Sequence, residues 1–280
     1  MNAHKLSAYR TGVCSIAANG GVSVSVQPDG ERSAGLSRRS VVQSVSRAFG
    51  LLNLLRDAQA PMSVLELARA AGLDRTVVHR LLRSLLQEGM VVEERGLFRL
   101  GPSPILLANR YLDDLLVRRL ALPYMVELQS GEIADKPWTA TLSVAVGDVS
   151  AVIERIWTPT TPLDLVLSVG DTFPIHSTAT GRSMLAYYPP ERVVELLGPE
   201  RAADLEPVLE AVRAAGGVGV SRGEAVPGVQ AIAAAIVSRR QTPIASVSVS
   251  GVDLEDQIEI DSRLASPLRR AAAAIGQMIP

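Results

Sequence analysis

Cysteine is almost absent from this chain of 280 residues. Cys14 is the only one, so no disulfide forms within the chain, and a metal site built on thiolates is not expected. The three histidines, His4, His79 and His176, lie far apart and show no metal-binding spacing. We therefore predict no metal and no cofactor, and the lack of cysteine fits a reducing, cytoplasmic compartment.

Aromatic residues and long apolar runs are also scarce. Aromatics make up 4% of the chain, against 47% hydrophobic and 20% charged residues, so the core must consist mainly of Leu, Val, Ile and Ala. No apolar run reaches the ~18 residues that a membrane-spanning helix needs. The run from Thr11 to Ala18 is too short and too polar to indicate export. We expect no membrane partner.

Charge is unevenly distributed along the chain. From Ser37 to Gly101, 10 Arg and no Lys against 6 Asp plus Glu give a net charge of +4. From Pro102 to Pro280, 15 Lys plus Arg against 21 Asp plus Glu give −6. A basic segment on an acidic body suits one module that contacts phosphate and another that does not, although ordinary scatter would give the same pattern.

The chain is predicted to have four segments. Residues 1–36, rich in Gly, Ser, Ala and Val, form a flexible extension. Residues 37–102 form a first domain, residues 103–122 a connecting helix that breaks near Pro123, and residues 123–280 a second domain. Helices in the first domain and mixed periodicity in the second indicate an α+β fold class.

The first domain begins with helical periodicity. One predicted helix face consists of Val42, Val45, Phe49, Leu52 and Leu55. Ser63 and Glu66 predict a capping box that begins a second helix, and Asp74 caps a third. The predicted inner face of the third helix is Val77, Leu81, Leu82 and Leu85. A hairpin follows, and this order of elements is typical of a winged helix-turn-helix.

Polar and basic side chains remain for the outer surface of the third helix. Arginine pairs with guanine in the major groove, and the hairpin reaches the backbone or the minor groove. The predicted DNA-binding residues are Arg47, Ser63, Arg75, Thr76, His79, Arg80, Arg83, Arg95 and Arg99. A merely solvated helix would carry the same arginines, and Arg80 adjoins the apolar face, which leaves a structural role open.

From Trp138 onward the pattern changes to alternating and short apolar runs, such as "TATLSVAVG" and "PIASVSVSG", with helical stretches between them. This predicts an antiparallel sheet covered by helices rather than a doubly wound parallel sheet. Trp138 and Trp157 are expected in the core.

Two sets of motifs resemble a known family. The DNA-binding half of IclR-type transcriptional regulators is resembled by "SVSRAFGLLNLL", "MSVLELARAAGLDRTVVHRLLRSLLQEGMV" and "FRLGP". Their effector-binding half is resembled by "VGDTFPIHSTATGRSMLA", "VRAAGGVGVSRGEAVPGVQAIAAAIV" and "PIASVSVSGV". The resemblance covers roughly Ser40 to the C-terminus. It implies a homodimer or dimer of dimers on double-stranded operator DNA, a GAF-like effector-binding domain joined by a linker helix, and most often repression of a catabolic operon.

The same resemblance implies a pocket for a small organic molecule, often acidic or aromatic. "PIHSTATGR" leads into a helix whose free N–H groups suit a carboxylate. The predicted effector-binding residues are Ala179, Thr180, Ser221, Glu224, Ala231, Ser248, Ser250 and Leu165, with Leu163 and Leu167 as further lining. Plain helix capping by Thr178 and Thr180, an outward stripe for Ser248 and Ser250, and a structural His176 stay open.

The chain departs from the family pattern at three positions. Ser221 stands where an acidic residue is common, Ala231 where cysteine is common, and Val77 where threonine is usual. The first two changes leave the identity of the effector open.

Two other functions compete with regulation by an effector. A hydrolase is disfavoured because the sequence lacks a Gly-x-Ser-x-Gly elbow and a phosphate-binding loop, so we predict no enzyme. A winged helix that binds a partner protein, without sensing an effector, remains the alternative.

Overall fold

The computed structural model describes residues 42–131, 133–162, 166–254, 258–259 and 262–280. The described chain separates into two compact units, one ending at Asp114 and the other beginning at Leu115. This division falls inside the segment 103–122 that we predicted as one connecting helix. The predicted extension, residues 1–36, lies outside the described residues.

The first unit contains four helices and a small sheet in its described part. These elements are α1 (Gln43–Asp57), β1 (Met62–Ser63), α2 (Val64–Ala71), α3 (Arg75–Gln87), β2 (Val91–Glu94), β3 (Leu97–Leu100) and α4 (Ser103–Asp114). The strands pair antiparallel in the order β1-β3-β2. The predicted winged helix-turn-helix is confirmed.

Local capping holds α2 and α3 as the sequence predicts. The Ser63 hydroxyl accepts a hydrogen bond from the Glu66 N–H at 3.3 Å, and the Glu66 carboxylate accepts one from the Ser63 N–H at 2.7 Å. The Asp74 carboxylate accepts one from the Thr76 N–H at 2.7 Å. Gly72 ends α2 at φ 63°, in the left-handed region that favours glycine, so the turn into α3 is sharp.

The core of the first unit corrects two predicted faces. Helix α1 buries Leu51, Leu52 and Leu55, whereas the predicted positions Val42, Val45 and Phe49 are exposed. Helix α3 buries Val78 with Leu82 and Leu85, and Val77 is only partly buried. Apolar residues spaced three and four positions apart can form either of two adjacent stripes on the same helix. Packing against the other helices and β3 decides which stripe is buried.

The second unit is an antiparallel sheet with helices. Its elements are α5 (Leu116–Ser130), β4 (Thr139–Val146), β5 (Val149–Trp157), β6 (Thr172–Pro174), α6 (Ala179–Leu185), α7 (Pro190–Leu197), α8 (Pro199–Ala214), β7 (Val218–Arg222), β8 (Gln230–Val237), β9 (Pro243–Gly251) and α9 (Ala265–Gln277). The strand order is β6-β5-β4-β9-β8-β7, and every pair is antiparallel. The predicted antiparallel sheet is confirmed.

The helix break lies earlier than the sequence suggested. Leu115 is extended, with ψ at 95°, and Pro123 lies inside α5 instead of ending a helix. Proline costs about 3 kcal/mol inside a helix. The helix continues because its buried face, Val117, Ala121, Met125 and Leu128, packs into the second unit.

The two tryptophans differ in burial. Trp138 is buried and its indole N–H donates to the Val252 carbonyl at 3.1 Å, as expected of a core residue. Trp157 is 40% exposed, so its predicted place in the core is wrong. It lies near the end of β5, where the Arg155 guanidinium stacks 5.1 Å from the ring centroid and covers the ring in place of apolar neighbours.

Candidate functional site

The outer surface of α3 is polar and basic. Its exposed residues include the five predicted positions Arg75, Thr76, His79, Arg80 and Arg83. At 3.6 residues per turn these five positions fall within one arc of about 140°. The buried residues Val78, Leu82 and Leu85 anchor the opposite side in the core, so the helix presents this arc as a rigid surface.

Three further predicted arginines are exposed on other elements of the first unit. Arg95 occupies the tip of the β2–β3 turn with φ at 52°, and it is exposed. Arg99 on β3 forms an exposed ion pair with Glu94 at 2.8 Å. Arg47 is exposed on α1. All three are within the first unit, as is the α3 surface.

Ser63 differs from the other predicted DNA-binding residues because its hydroxyl is already used. It accepts from the Glu66 N–H and donates to the Glu66 carboxylate at 2.7 Å. The bond that the Ser63 backbone N–H donates to the Glu66 carboxylate, and next the one from its hydroxyl, lower the pKa of Glu66. The structure thus gives Ser63 a capping role, and a contact with phosphate stays a prediction.

The second unit contains a cavity of about 70 Å³ beside the N-terminal end of α6. Hydroxyl-bearing and apolar side chains line it. The lining residues are Thr141, Ser143, Ser150, Val152, Leu167, Phe173, Thr178, Ala179, Thr180, Ser221, Ala225, Val226, Val229, Ala231, Ser248 and Ser250. Six of the eight predicted effector-binding residues are among them, and Leu165 lies outside the described residues.

Pairs of hydroxyl groups connect the neighbouring elements that form the cavity wall. Thr141 Oγ1 and Ser248 Oγ lie 2.6 Å apart, which joins β4 to β9. Ser150 Oγ and Thr180 Oγ1 lie 2.9 Å apart, which joins β5 to α6. Ser248 and Ser250 both line the cavity, so they do not form an outward polar stripe.

The N-terminal end of α6 closes one side of the cavity. Thr178 Oγ1 accepts from the Gly181 N–H at 2.9 Å, so Thr178 caps the helix, as one of the open interpretations held. Thr180 lies two residues further along, and its hydroxyl pairs with Ser150 Oγ at 2.9 Å and donates to Thr178 Oγ1 at 3.3 Å. Ala179 and Thr180 both line the cavity, so the backbone at this end of α6 lies next to it.

Glu224 was predicted as an effector contact, but it is absent from the described cavity lining. Its carboxylate accepts hydrogen bonds from Arg182 Nη1 at 2.8 Å, Ser221 Oγ at 3.0 Å and the Arg222 N–H. Partial burial would raise the pKa of Glu224, but these bonds outweigh it and lower the pKa to about 2. The carboxylate is therefore engaged with the protein, and among its partners Ser221 lines the cavity.

His176 fits the structural interpretation. Burial lowers the pKa of its imidazole, and the nearby Arg201 and Arg182 charges lower it further. Its backbone carbonyl accepts from Arg182 Nε at 2.9 Å. The imidazole itself is not part of the cavity lining described above.

Sequence reasoning missed the hydroxyls that strands β4 and β5 contribute. Thr141, Ser143 and Ser150 all line the cavity and are buried. The alternation of hydroxyls in "TATLS" was a usable signal, because Thr139, Thr141 and Ser143 share one face of a strand.

Within the described ranges, no group of three or more His, Cys, Asp or Glu side chains is placed to hold a metal ion. In the same residues, no helix is long and apolar enough to cross a membrane.

Comparison with known proteins gives matches over both units. The model of the IclR helix-turn-helix domain matches residues 44–95, and that of the bacterial transcriptional regulator IclR C-terminal domain matches residues 109–277. The glycerol operon regulatory protein of Streptomyces griseus is 31% identical over 223 residues, which cover 75% of this chain and 85% of that protein.

Two solved structures share the fold. An IclR transcriptional regulator from Alicyclobacillus acidocaldarius has a TM-score of 0.71 at 25% identity, covering 84% of this chain and 98% of that one. An IclR homologue from Microbacterium hydrocarbonoxydans, complexed with 4-hydroxybenzoate, has a TM-score of 0.66 at 22% identity, covering 83% and 97%. The helix-turn-helix unit followed by an α/β unit is therefore the arrangement of these proteins too.

Proposed function

Because the chain belongs to the IclR family of bacterial transcriptional regulators, we propose that it is a cytoplasmic repressor of a metabolic operon. In this proposal α3 binds operator DNA, and a small organic molecule in the cavity of the second unit changes the affinity for that DNA. The observation that carries the proposal is the exposed basic arc of α3, held rigid by its buried side.

The arrangement of the first unit supports insertion of α3 into the major groove. Arg75 and Thr76 begin the helix, where a recognition helix contacts base edges, and Arg83 lies two turns further on. Arg95 at the hairpin tip reaches the backbone or the minor groove beside it. The charge of +4 over Ser37 to Gly101 favours approach to phosphate.

We expect Arg75→Ala and Arg83→Ala each to weaken binding to the upstream intergenic DNA of the chain's own gene by about 1–3 kcal/mol, because each removes one base or phosphate contact. Fluorescence anisotropy at two salt concentrations measures this. A substitution that removes a phosphate contact also reduces the salt dependence by about one counterion. Arg56→Ala is the control, since Arg56 is an exposed arginine at the end of α1, paired with Asp57 at 2.8 Å.

The outcome of this DNA titration distinguishes DNA binding from the protein-interaction alternative. If the parent protein binds no duplex at low salt, the DNA-binding proposal is wrong and the protein-interaction alternative replaces it. If Arg56→Ala weakens binding as much as Arg75→Ala, the α3 surface is not the recognition surface.

Exposed apolar side chains support assembly as a homodimer or a dimer of dimers. On α1 and at the residue before it these are Val42, Val45 and Phe49, and on α4 they are Ile105, Leu106 and Leu107. Clusters of this kind on a small unit mark surfaces that bind another protein. A second copy of the chain suits the two-fold symmetry of an operator, and the number of chains bound per duplex in the titration above tests it.

The cavity supports a small ligand with both an apolar part and hydrogen-bonding groups. Its lining combines hydroxyls such as Ser221 and Ser250 with apolar residues such as Val152 and Phe173. An organic acid or an aromatic compound has this character, and the backbone N–H groups beside Ala179 and Thr180 suit a carboxylate. The homologue that was solved with 4-hydroxybenzoate provides a first probe.

We expect Ala231→Leu to abolish the thermal stabilisation produced by 4-hydroxybenzoate, because the larger side chain fills the cavity that Ala231 lines. Differential scanning fluorimetry with increasing 4-hydroxybenzoate measures the shift in Tm. Ala211→Leu makes the same change on the exposed side of α8 and should leave the shift intact. A shift that survives Ala231→Leu would place the ligand elsewhere.

A further inference from the structure

The segment of residues 223–229, which connects β7 to β8, forms one wall of the cavity. Ala225, Val226 and Val229 from this segment face the lining residues of α6. Gly223 at φ 104° and Gly228 at φ 80° stand near its two ends, in the region that favours glycine. Residues 223–229 therefore border the cavity between two glycines whose backbone conformations other residues rarely adopt.

One side chain makes the hydrogen bonds that connect this segment to the rest of the unit. Val229 N–H donates to the Val226 carbonyl, which holds the segment only to itself. Among the described residues, the hydrogen bonds that leave the segment all end on the Glu224 carboxylate, from Arg182, Ser221 and the Arg222 N–H.

Arg182 is a firm anchor for that carboxylate. Its side chain is 13% exposed and belongs to α6. Its Nε donates to the His176 carbonyl and its Nη1 to the Val220 carbonyl, both at 2.9 Å. These bonds fix the guanidinium against α6 and β7, so its ion pair with Glu224 at 2.8 Å sets the position of the segment.

We propose that the ion pair between Glu224 and Arg182 is a latch, which holds residues 223–229 closed over the cavity and must release before a small molecule enters or leaves. The proposal rests on the proposed function only for the identity of that molecule. Glu224 and Arg182 are positioning residues, since they act through the segment and through Ser221. Because the pKa of Glu224 is about 2, the latch keeps its charge at neutral pH and is not a pH switch.

The latch is tested by the rate at which a thiol inside the cavity reacts. Ser248 lines the cavity and is 2% exposed, so Ser248→Cys in a Cys14→Ser background places one thiol behind the segment. Labelling of the full chain with 5,5′-dithiobis(2-nitrobenzoate) then reports opening. We expect Glu224→Gln to raise the labelling rate by about tenfold. Glutamine has the same shape as glutamate but lacks the negative charge, so its hydrogen bonds are weaker.

A matched control and a second variant keep the outcome decisive. Glu259→Gln removes a different exposed ion pair, the one between Glu259 and Arg222 at 2.8 Å. This control should be labelled at a rate within twofold of the parent's. Arg182→Lys keeps the positive charge but loses the bonds to two carbonyls, and should also raise the rate. If both latch variants label at the parent rate, or only in proportion to their loss of unfolding free energy in urea, the proposal is wrong.

Failure of the latch and failure of the proposed function are distinguishable. Anisotropy with operator DNA on the same preparations tests the first unit, whose α3 contacts do not depend on Glu224. Normal DNA binding with unchanged labelling overturns the latch alone, whereas increased labelling without DNA binding overturns the regulator proposal and leaves the latch supported.

Discussion

Substitution of alanine for Gly181 is expected to destabilise the second unit by about 3 kcal/mol or more. A Cβ at this position would overlap the Ile175 carbonyl oxygen and lie 2.7 Å from Thr178 Oγ1. Ile175 is fully buried and its N–H donates to the Asp148 carbonyl at 2.9 Å. The backbone has no room to move, so the added methyl group separates α6 from the turn that begins it.

Tryptophan fluorescence during urea unfolding measures this effect, because both tryptophans, Trp138 and Trp157, belong to the second unit. The midpoint should fall, and Tm should fall by roughly 10 °C for a domain of this size. Gly50→Ala makes the same change in α1, where a Cβ meets nothing within 4 Å, and should leave the tryptophan transition unchanged. A Gly181→Ala midpoint equal to the parent's would contradict the close approach of α6 to Ile175.

The α3 surface was predictable because it depends on local rules. Capping by Ser63 and Asp74 sets where two helices begin, and helical periodicity then separates apolar from basic positions. Arg75 and Arg83 are exposed whichever of two neighbouring apolar stripes is buried. The choice between Val77 and Val78 was not local, since contact with the rest of the core decides it.

The full lining of the cavity could not be predicted, because it depends on pairing between distant parts of the chain. Its α6, β8 and β9 residues were identified through motifs that resemble a family, whereas Thr141 and Ser150 were missed. Their place follows from strand pairing, in which Thr141 lies opposite Ser248, 107 positions away. No pattern within β4 alone reveals that partner.

Glu224 shows the same limit of sequence-based prediction, because here a predicted residue is absent from the lining. The motif predicted an effector contact, but the structure gives the carboxylate a partner in Arg182, 42 positions earlier in the chain. Only the fold brings the two together, and their ion pair turns the carboxylate toward α6 and out of the lining. A residue that a motif marks as functional therefore need not line the cavity.

Leu82→Ala is expected to cost the first unit about 2–5 kcal/mol, because it leaves a cavity where a fully buried side chain packed. Leu82 shares its core with Leu51, Leu67 and Phe98, so it joins α3 to α1, α2 and the hairpin. A unit of this size has only about 5–15 kcal/mol of stability, and the loss is a large part of it.

Hydrogen exchange of backbone amides in α1 and α3, followed by mass spectrometry, measures this loss, since the first unit contains no tryptophan. Protection should fall in both helices, and the affinity for operator DNA should fall with it although no contact with DNA is removed. Leu81→Ala makes the same change on the same helix at a partly buried position and should cost clearly less. Equal losses from the two substitutions would mean that Leu82 does not anchor α3. A larger loss at Leu82 would mean that the rigidity of the basic arc, and hence DNA binding, depends on the buried side of the helix.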